Sequence, residues 1–334
     1  MRNISNKVRN IKVSSATVKI YHGYGHANNL IVYGHVLAGK PVGISRYSDK
    51  TVYNIIHIVK LFFIKPLPNV KVSMQWGNQH YYSTTEADGF FKFEWQSTTS
   101  VSPGWHPIEV HLLKQGNIAI TGKGKIYVPQ STQYGFISDI DDTVLVSHSA
   151  TTGKKLEVMF TKNPRSRKTF ADVVKYYRLL ALAHTEPLLL NPFFYVSSSE
   201  WNLYDDLNEF FKHNGLPKGV FLLNKIKRWY QLFKTGKTKH QGKLIRIIRV
   251  LEAFPKQQFV LLGDNSQSDP EIYVSIANKY PDKIIAVYIR NILGKKENST
   301  KKILASIQNK NIPTCLFKHT DEAILHSKLI GLIE

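Results

Sequence analysis

From Thr17 to Ile120 the chain is a series of short runs in which apolar and polar residues alternate. "TVKIY", "NLIVYGHVL", "NVKVSMQW", "HYYSTT", "FFKFEW", "PIEVHLL" and "NIAI" are rich in branched and aromatic side chains, the pattern of half-buried strands. In "NVKVSMQW", Val70, Val72, Met74 and Trp76 share one face and the polar residues take the other. Asp88-Gly89 stands between two such runs, where a tight hairpin is expected. Short strands at this spacing suggest a small β-sandwich over residues 1–130. One stretch breaks the rhythm. "VYNIIHIVKLFFI", Val52 to Ile64, is apolar except for Asn54, His57 and Lys60, which recur every third residue as a narrow polar stripe. It reads as a helix packed on a core, with an interfacial membrane helix as the alternative.

Beyond a linker-like "YVPQSTQ" (Tyr127 to Gln133) the period changes. Strand-like runs ("YGFISD", "PFFYVSS", "GVFLL", "QFVLLGD", "IIAVYIR") now alternate with helix-like ones. A helix is expected from Thr169. Another, "SEWNLYDDLNEFFKHNG", has a serine N-cap and ends at Gly215. "QGKLIRIIRVLEAFP" is stopped by Pro255, "PEIYVSIANKYP" lies between prolines, and the last helix lies between Thr320 and Gly331. Residues 131–334 are therefore predicted to be an α/β domain with a mostly parallel sheet.

Composition narrows the class. The 334 residues suffice for two cores, and 43% apolar with 21% charged is ordinary for globular domains. Lys and Arg number 45 against 24 acids, a formal charge of +21, which attracts polyanions. No nucleic-acid-binding motif accompanies that charge, so anionic lipid or phosphorylated substrates are the expected partners. The single cysteine, Cys315, excludes an internal disulfide and a Cys-based zinc site, and suggests a reducing, cytoplasmic setting. "MRNISNKVRNIKVSS" has no apolar core of a secretory signal, and no run approaches a membrane span.

The chemistry gathers at the predicted carboxyl ends of the strands, where ligands sit in such sheets. After "GFIS" comes Asp139-Ile140-Asp141-Asp142-Thr143. After "FFYV" comes Ser197-Ser198-Ser199. Lys243 opens a helix, and "FVLLG" leads to Asp264 and Asp269. A carboxylate can attack phosphorus and split hydrolysis into two displacements. A divalent cation held by carboxylates, with a lysine and hydroxyls, neutralises the phosphoryl oxygens. A second carboxylate can move the proton of the leaving oxygen. His148 and His240 each lie near motif residues but form no metal-spaced cluster, and read as loop or packing residues.

"DIDDT", Ser197, Lys243 and "GDNSQSD", in that order and each after its strand, resemble the four motifs of haloacid-dehalogenase-superfamily phosphatases. "GFISDIDDTV", "YVSSSEWNLYDDL", "FVLLGDNSQSDPEIY" and "AVYIRNI" are similar to the catalytic domain of the actin-patch-associated phosphatidate phosphatase family. "YHGYGHANNLIVYGHVL" and "ADGFFKFEW" resemble the β-domain that precedes it in bacterial members. The resemblance implies a Rossmann-like domain that binds Mg2+ and hydrolyses phosphatidate to diacylglycerol. By it, Asp139 is the nucleophile and Asp141 the general acid/base, whose backbone carbonyl also serves Mg2+. Thr143 orders the loop, Ser197 hydrogen-bonds the phosphoryl oxygens and Lys243 bridges nucleophile and phosphate. Asp264 binds Mg2+, supported by Asp269. Two departures stand out: Asn265 where the family usually has serine, and Glu200 where proline is common. Lys237 and Lys239 lie close to Lys243 and compete for its role.

The residues leave the substrate more open. Val144 to Val146 would begin a flap, and no large cap domain fits before Pro192, so an open site for a bulky headgroup is expected. Trp229, Tyr230 and Phe233 among Lys225, Lys227, Arg228 and Lys234 read either as an element facing anionic lipid or as a basic loop with a buried aromatic side. The alternatives are a phosphatase of soluble or protein-bound phosphomonoesters, with the β-domain binding a protein partner, and a lipid-binding module with a vestigial site.

Overall fold

The alternating runs of the front half fold as antiparallel strands. A computed structural model describes residues 16–39, 50–130, 134–147, 161–227 and 239–334. The basic start of the chain, the segment 148–160 with His148, and Arg228, Trp229, Tyr230, Phe233, Lys234 and Lys237 lie outside the described residues. Two compact units emerge, one from the β-rich part and one from the α/β part.

The first unit contains β1 (Ala16–Ile20), β2 (Gly23–His26), β3 (Asn29–Ala38), β4 (Lys65–Pro66), β5 (Lys71–Trp76), β6 (Gln79–Thr84), β7 (Phe90–Trp95), β8 (Gly104–Lys114) and β9 (Asn117–Val128). They hydrogen-bond in the order β1-β3-β2-β9-β8-β5-β6, with β4 and β7 on β3. Alternation is clean in β7, which buries Phe91, Phe93 and Trp95, and in β8, which buries Ile108, Val110 and Leu112. Asp88-Gly89 does turn the chain, with Gly89 at φ 77 and its N–H bonded to Glu86 O at 2.9 Å. It makes no hairpin, however. β6 pairs with β5 and β7 with β3. Tight hairpins form elsewhere, as at β5–β6, closed at Trp76 and Gln79 around Gly77.

The second unit contains β10 (Gly135–Ser138), α2 (Val173–Leu182), β11 (Phe193–Glu200), α3 (Tyr204–Asn214), β12 (Gly219–Asn224), α4 (Lys239–Ala253), β13 (Phe259–Asp264), α5 (Asp269–Lys279), β14 (Ile284–Arg290), α6 (Glu297–Ala305), β15 (Thr314–Phe317) and α7 (Thr320–Leu329). Its six strands run β12-β11-β10-β13-β14-β15 and pair in parallel throughout. β10 and β13 are buried at every position, which is why such strands read as unbroken apolar runs. Successive strands extend the sheet outward from β10 in one direction up to β12 and in the other from β13. The order therefore reverses between β10 and β13, and a crevice forms at their carboxyl ends.

Two expected boundaries moved. The serines of "YVSSSE" belong to β11, which runs to Glu200, and α3 starts at Tyr204 without a side-chain cap. Thr169 does not start a helix; it bridges to Leu145, and α2 begins at Val173.

The helix expected at Val52 to Ile64 forms as α1 (Thr51–Phe62) and groups with the second unit, although β-strands flank it in sequence. It packs through Asn54 and His57 of its polar stripe together with buried Ile58, Leu61 and Phe62. Asn54 donates to Thr161 O at 3.0 Å, His57 Nε2 hydrogen-bonds buried Asp206 Oδ1 at 2.8 Å, and Leu61 O accepts from Asn202 at 2.8 Å. Among the described residues no helix is long and apolar enough to cross a membrane.

Candidate active site

Where β10 ends, the Asp139 N–H donates to Leu262 O at 2.8 Å. The β10–β13 ladder thus continues one residue and fixes Asp139 at the crevice. The chain then turns on Ile140 O, which accepts from the N–H groups of Val144 and Leu145, both at 3.0 Å. Asp142 sits at φ 58, a conformation that Asp tolerates better than most residues. Its Oδ1 accepts from Ser147 N at 2.9 Å and Ser147 Oγ at 3.3 Å. Asp142 therefore shapes the loop. Val144 and Leu145 are buried, Leu145 bridges to Thr169 and Val146 N–H bonds Lys168 O at 3.0 Å, so the expected beginning of a flap is an anchored turn. Buried Arg290 ties the loop from behind. Its Nε donates to Thr143 O at 3.3 Å and its Nη2 to Thr320 Oγ1 at 3.2 Å, with the guanidinium against Phe170 and Phe317.

Four of the expected residues meet at the crevice around one ammonium. Lys243, in the first turns of α4, donates through Nζ to Asp139 Oδ1 at 2.6 Å and to Asp269 Oδ1. Asp269 Oδ2 accepts from the backbone N–H of Asp264 at 3.3 Å. Asp264 accepts from Ser266 N–H and, at 3.3 Å, from Thr143 Oγ1. Each of Asp139, Asp264 and Asp269 offers a carboxylate oxygen within 4.8 Å of the other two. All three are buried.

The remaining pair lies beside this cluster. Asp141 Oδ2 accepts from Ser197 Oγ at 3.1 Å and from Ser199 Oγ at 3.2 Å. Its side chain is not one of the three clustered carboxylates. The serines are thus held at the end of β11 facing an acid, and Ser199 is a hydroxyl that the sequence reading did not separate from its neighbours. Arg246 was missed altogether. It lies one turn beyond Lys243 on α4, and its Nη2 donates to Ser197 O at 3.2 Å. The i, i+3 spacing of Lys243 and Arg246 was the available signal.

Electrostatics follow from this geometry. Burial pushes the Asp139 carboxyl well above its ordinary range; Lys243 opposes that shift, and Asp269, Asp264 and Asp141 add to it. Burial, then the charge of Asp269, raises Asp264 to about 7. For Lys243 burial works downward, but Asp139 and Asp269 together outweigh it and hold the ammonium above its ordinary value. Burial lowers Arg246 to about 10, against the charge of Asp139.

Three carboxylates against one ammonium leave an excess of negative charge out of water, which is unfavourable without a further cation. Asp139 Oδ2 is buried and has no hydrogen-bond partner among the described residues. The donors are hard oxygens, the set that a divalent cation such as Mg2+ takes. Asp139, Asp264 and Asp269 thus fit a metal ion, and Asp139 keeps an oxygen free of hydrogen bonds for chemistry.

Fold and site together define a doubly wound α/β unit with a metal-type carboxylate cluster at its switch point. Residues 134–291 match the family described as "Phosphatidate phosphatase APP1, catalytic domain", a span that holds every residue of the crevice, and the chain resembles that family. It is 28% identical over 181 residues to phosphatidate phosphatase APP1 of Saccharomyces cerevisiae, covering 52% of this chain and 29% of that protein. It is 26% identical over 163 residues to an uncharacterized protein of Schizosaccharomyces pombe, covering 47% of this chain and 25% of that one. The chain spans less than a third of the length of either curated relative. Among solved structures, a carbohydrate acetylesterase from Xanthomonas citri aligns over 94% of this chain and 73% of its own at 9% identity, with a TM-score of 0.35. That likeness is too low to carry an argument about fold or chemistry.

Proposed function

We propose that this chain is a Mg2+-dependent phosphatidate phosphatase of the haloacid-dehalogenase type, with its catalytic part in residues 131–334. The observation that carries the reading is Asp139. Its carboxylate is buried at the switch point, one oxygen is bound to Lys243 and the other has no partner among the described residues, and two further carboxylates lie beside it. Asp139 attacks phosphorus as the bond to the glycerol oxygen breaks, giving an aspartyl phosphate. Asp141, held by Ser197 and Ser199, gives its proton to the leaving oxygen, so diacylglycerol departs as the alcohol. Water then attacks the phosphoryl group and its proton returns to Asp141. Phosphate leaves and the Asp139 carboxylate is restored. Lys243 holds Asp139 in position and, with the Ser197 hydroxyl, stabilises the phosphoryl oxygens. Thr143 orders the loop. Mg2+, held by Asp139, Asp264 and the backbone of Asp141 with Asp269 in support, supplies neutralising charge for anionic attack on an anion. An anionic phospholipid surface presents the substrate, so the protein works as a peripheral membrane enzyme.

Asp139→Asn is expected to abolish Mg2+-dependent phosphate release while leaving thermal unfolding in place. Undiminished turnover by that variant would sink the assignment. Phosphatidate in mixed micelles is expected to be turned over far faster than a small soluble phosphate ester. Equal rates would move the reading to soluble or protein-bound phosphomonoesters.

A further inference from the structure

Helix α1 carries two stripes at the same helical spacing, and the structure buries the less apolar one. Asn54, His57, Ile58 and Leu61 face the unit, with Phe62 buried beside them, whereas Val52, Ile55, Ile56 and half-buried Val59 lie on the opposite side. Both sets follow i, i+3, i+4, i+7. Val52 is 64% exposed, Tyr53 60%, Ile55 40% and Ile56 44%. A helix that only had to pack would turn the wholly apolar stripe inward and leave Asn and His to water. Here the inward face is fixed by polar anchors: Asn54 on Thr161 O, and His57 on the buried carboxylate of Asp206 in α3. Asn54 and His57 fix which way the helix faces, Ile58, Leu61 and Phe62 bury beside them, and Val52, Ile55 and Ile56 are displayed.

Charge narrows what the displayed face fits. α1 contains no acidic residue. Lys50 and Lys60 are exposed toward its two ends, and Lys60 follows Ile56 by one turn, so it stands on the displayed side. The whole chain carries +21. Branched apolar side chains with lysines at the margin match acyl chains beneath anionic headgroups, because lysine stems lie along the apolar layer while their ammonium groups reach the phosphates.

We propose that the outward face of α1, formed by Val52, Tyr53, Ile55, Ile56 and Lys60, docks on an anionic phospholipid bilayer. The inference gives the phosphatidate reading its membrane contact and rests on that reading for its purpose. The backbone of Leu61 at the end of α1 accepts from Asn202, three residues beyond Ser199. The docking helix is therefore tied to the segment that continues from the serine end of β11.

The full chain is tested by co-sedimentation with phosphatidylcholine vesicles, with and without phosphatidylglycerol, an anionic lipid that is not the proposed substrate. The wild type is expected to bind the anionic vesicles. An Ile55→Ser/Ile56→Ser variant, altered only at exposed positions, is expected to bind at least about tenfold more weakly with an unchanged thermal transition. Undiminished binding by that variant overturns the proposal. In a second measurement, Ile56→Cys carrying an environment-sensitive fluorophore shifts to shorter wavelength when anionic vesicles are added, and constant emission also overturns it. Self-association of the wild type that the double variant dissolves, without vesicle binding, would assign the face to a second copy of the chain and overturn membrane docking. Phosphate release from phosphatidate in detergent mixed micelles, measured on the same protein samples, separates the two ideas. Vesicle binding without any hydrolysis refutes the phosphatase reading and leaves the docking face standing.

Discussion

At the scale of single residues the crevice is a problem of charge balance. Lys243 Nζ is shared between Asp139 and Asp269, and Asp264 lies alongside. Removing the ammonium leaves buried carboxylates facing one another, a change that typically costs about 3 kcal/mol or more. Lys243→Met is therefore expected to lower the stability of the metal-free protein by about 3 kcal/mol in urea denaturation, with Mg2+ restoring part of the loss. A variant as stable as the wild type in chelator would mean that the carboxylates take up protons without cost and that Lys243 does not balance the cluster. The sequence narrowed the lysine to three neighbours; among the described residues Lys243 is the one that reaches Asp139, and sequence alone does not give the helix phase that brings it there. The acids of "DIDDT" were legible as a group. Their division of labour was less so: the loop-building part of Asp142 depends on a left-handed turn and on Ser147, which composition does not reveal.

At the scale of elements, Asp269 is placed by the junction of β13 and α5, and Gly263 makes that junction tight. A Cβ on Gly263 would lie 2.8 Å from Asp269 Cβ and 2.8 Å from Tyr273 Cε2, closer than packed atoms come. Gly263→Ala is expected to push Asp269 from Lys243 and from the Asp264 N–H. The stability cost should be about 1–3 kcal/mol, and kcat should fall on the order of a hundredfold, as for small misplacements at other sites. Parallel kinetics at several Mg2+ concentrations check this, and an unchanged kcat would show that the junction does not set the carboxylate. The same elements explain what the sequence revealed. Central parallel strands are buried on both faces and announce themselves as apolar runs, so the sheet was readable. The serines after "FFYV" looked like a helix cap because a cap and a strand-end hydroxyl use the same residue; their acceptor, Asp141, lies 56 and 58 residues away. Likewise the inward stripe of α1 is chosen by Asp206, 149 residues beyond His57, and helical periodicity alone cannot favour one stripe over the other.

At the scale of the whole molecule, the two units hold buried titratable groups whose effects on stability run in opposite directions with pH. In the β-rich unit His35 is fully buried, its Nδ1 is 2.9 Å from the Tyr21 hydroxyl, and burial lowers its pKa from 6.5 to about 4 against a smaller upward pull from Asp88. The folded unit keeps this histidine neutral while the unfolded chain takes up a proton below about 6.5. Its contribution is thus present above about 6.5 and lost as pH falls toward 4, amounting to about 3 kcal/mol. In the α/β unit burial, then Asp269, raises Asp264 from 3.8 to about 7. The folded unit favours the protonated acid, so its contribution is full below about 4 and lost as pH rises through 7. A bound divalent cation reverses that preference by stabilising the carboxylate form. Calorimetry in chelator between pH 5 and 7 is therefore expected to show the β-rich transition moving up with pH while the α/β transition moves down. Mg2+ should lift and flatten the second and leave the first unchanged. Asp264→Asn should remove part of the downward slope without metal, Asp139 keeping the rest. Two transitions that move together with pH, or a slope of the α/β transition that ignores both Mg2+ and Asp264→Asn, would refute the assignment of the buried carboxylates as a cation site.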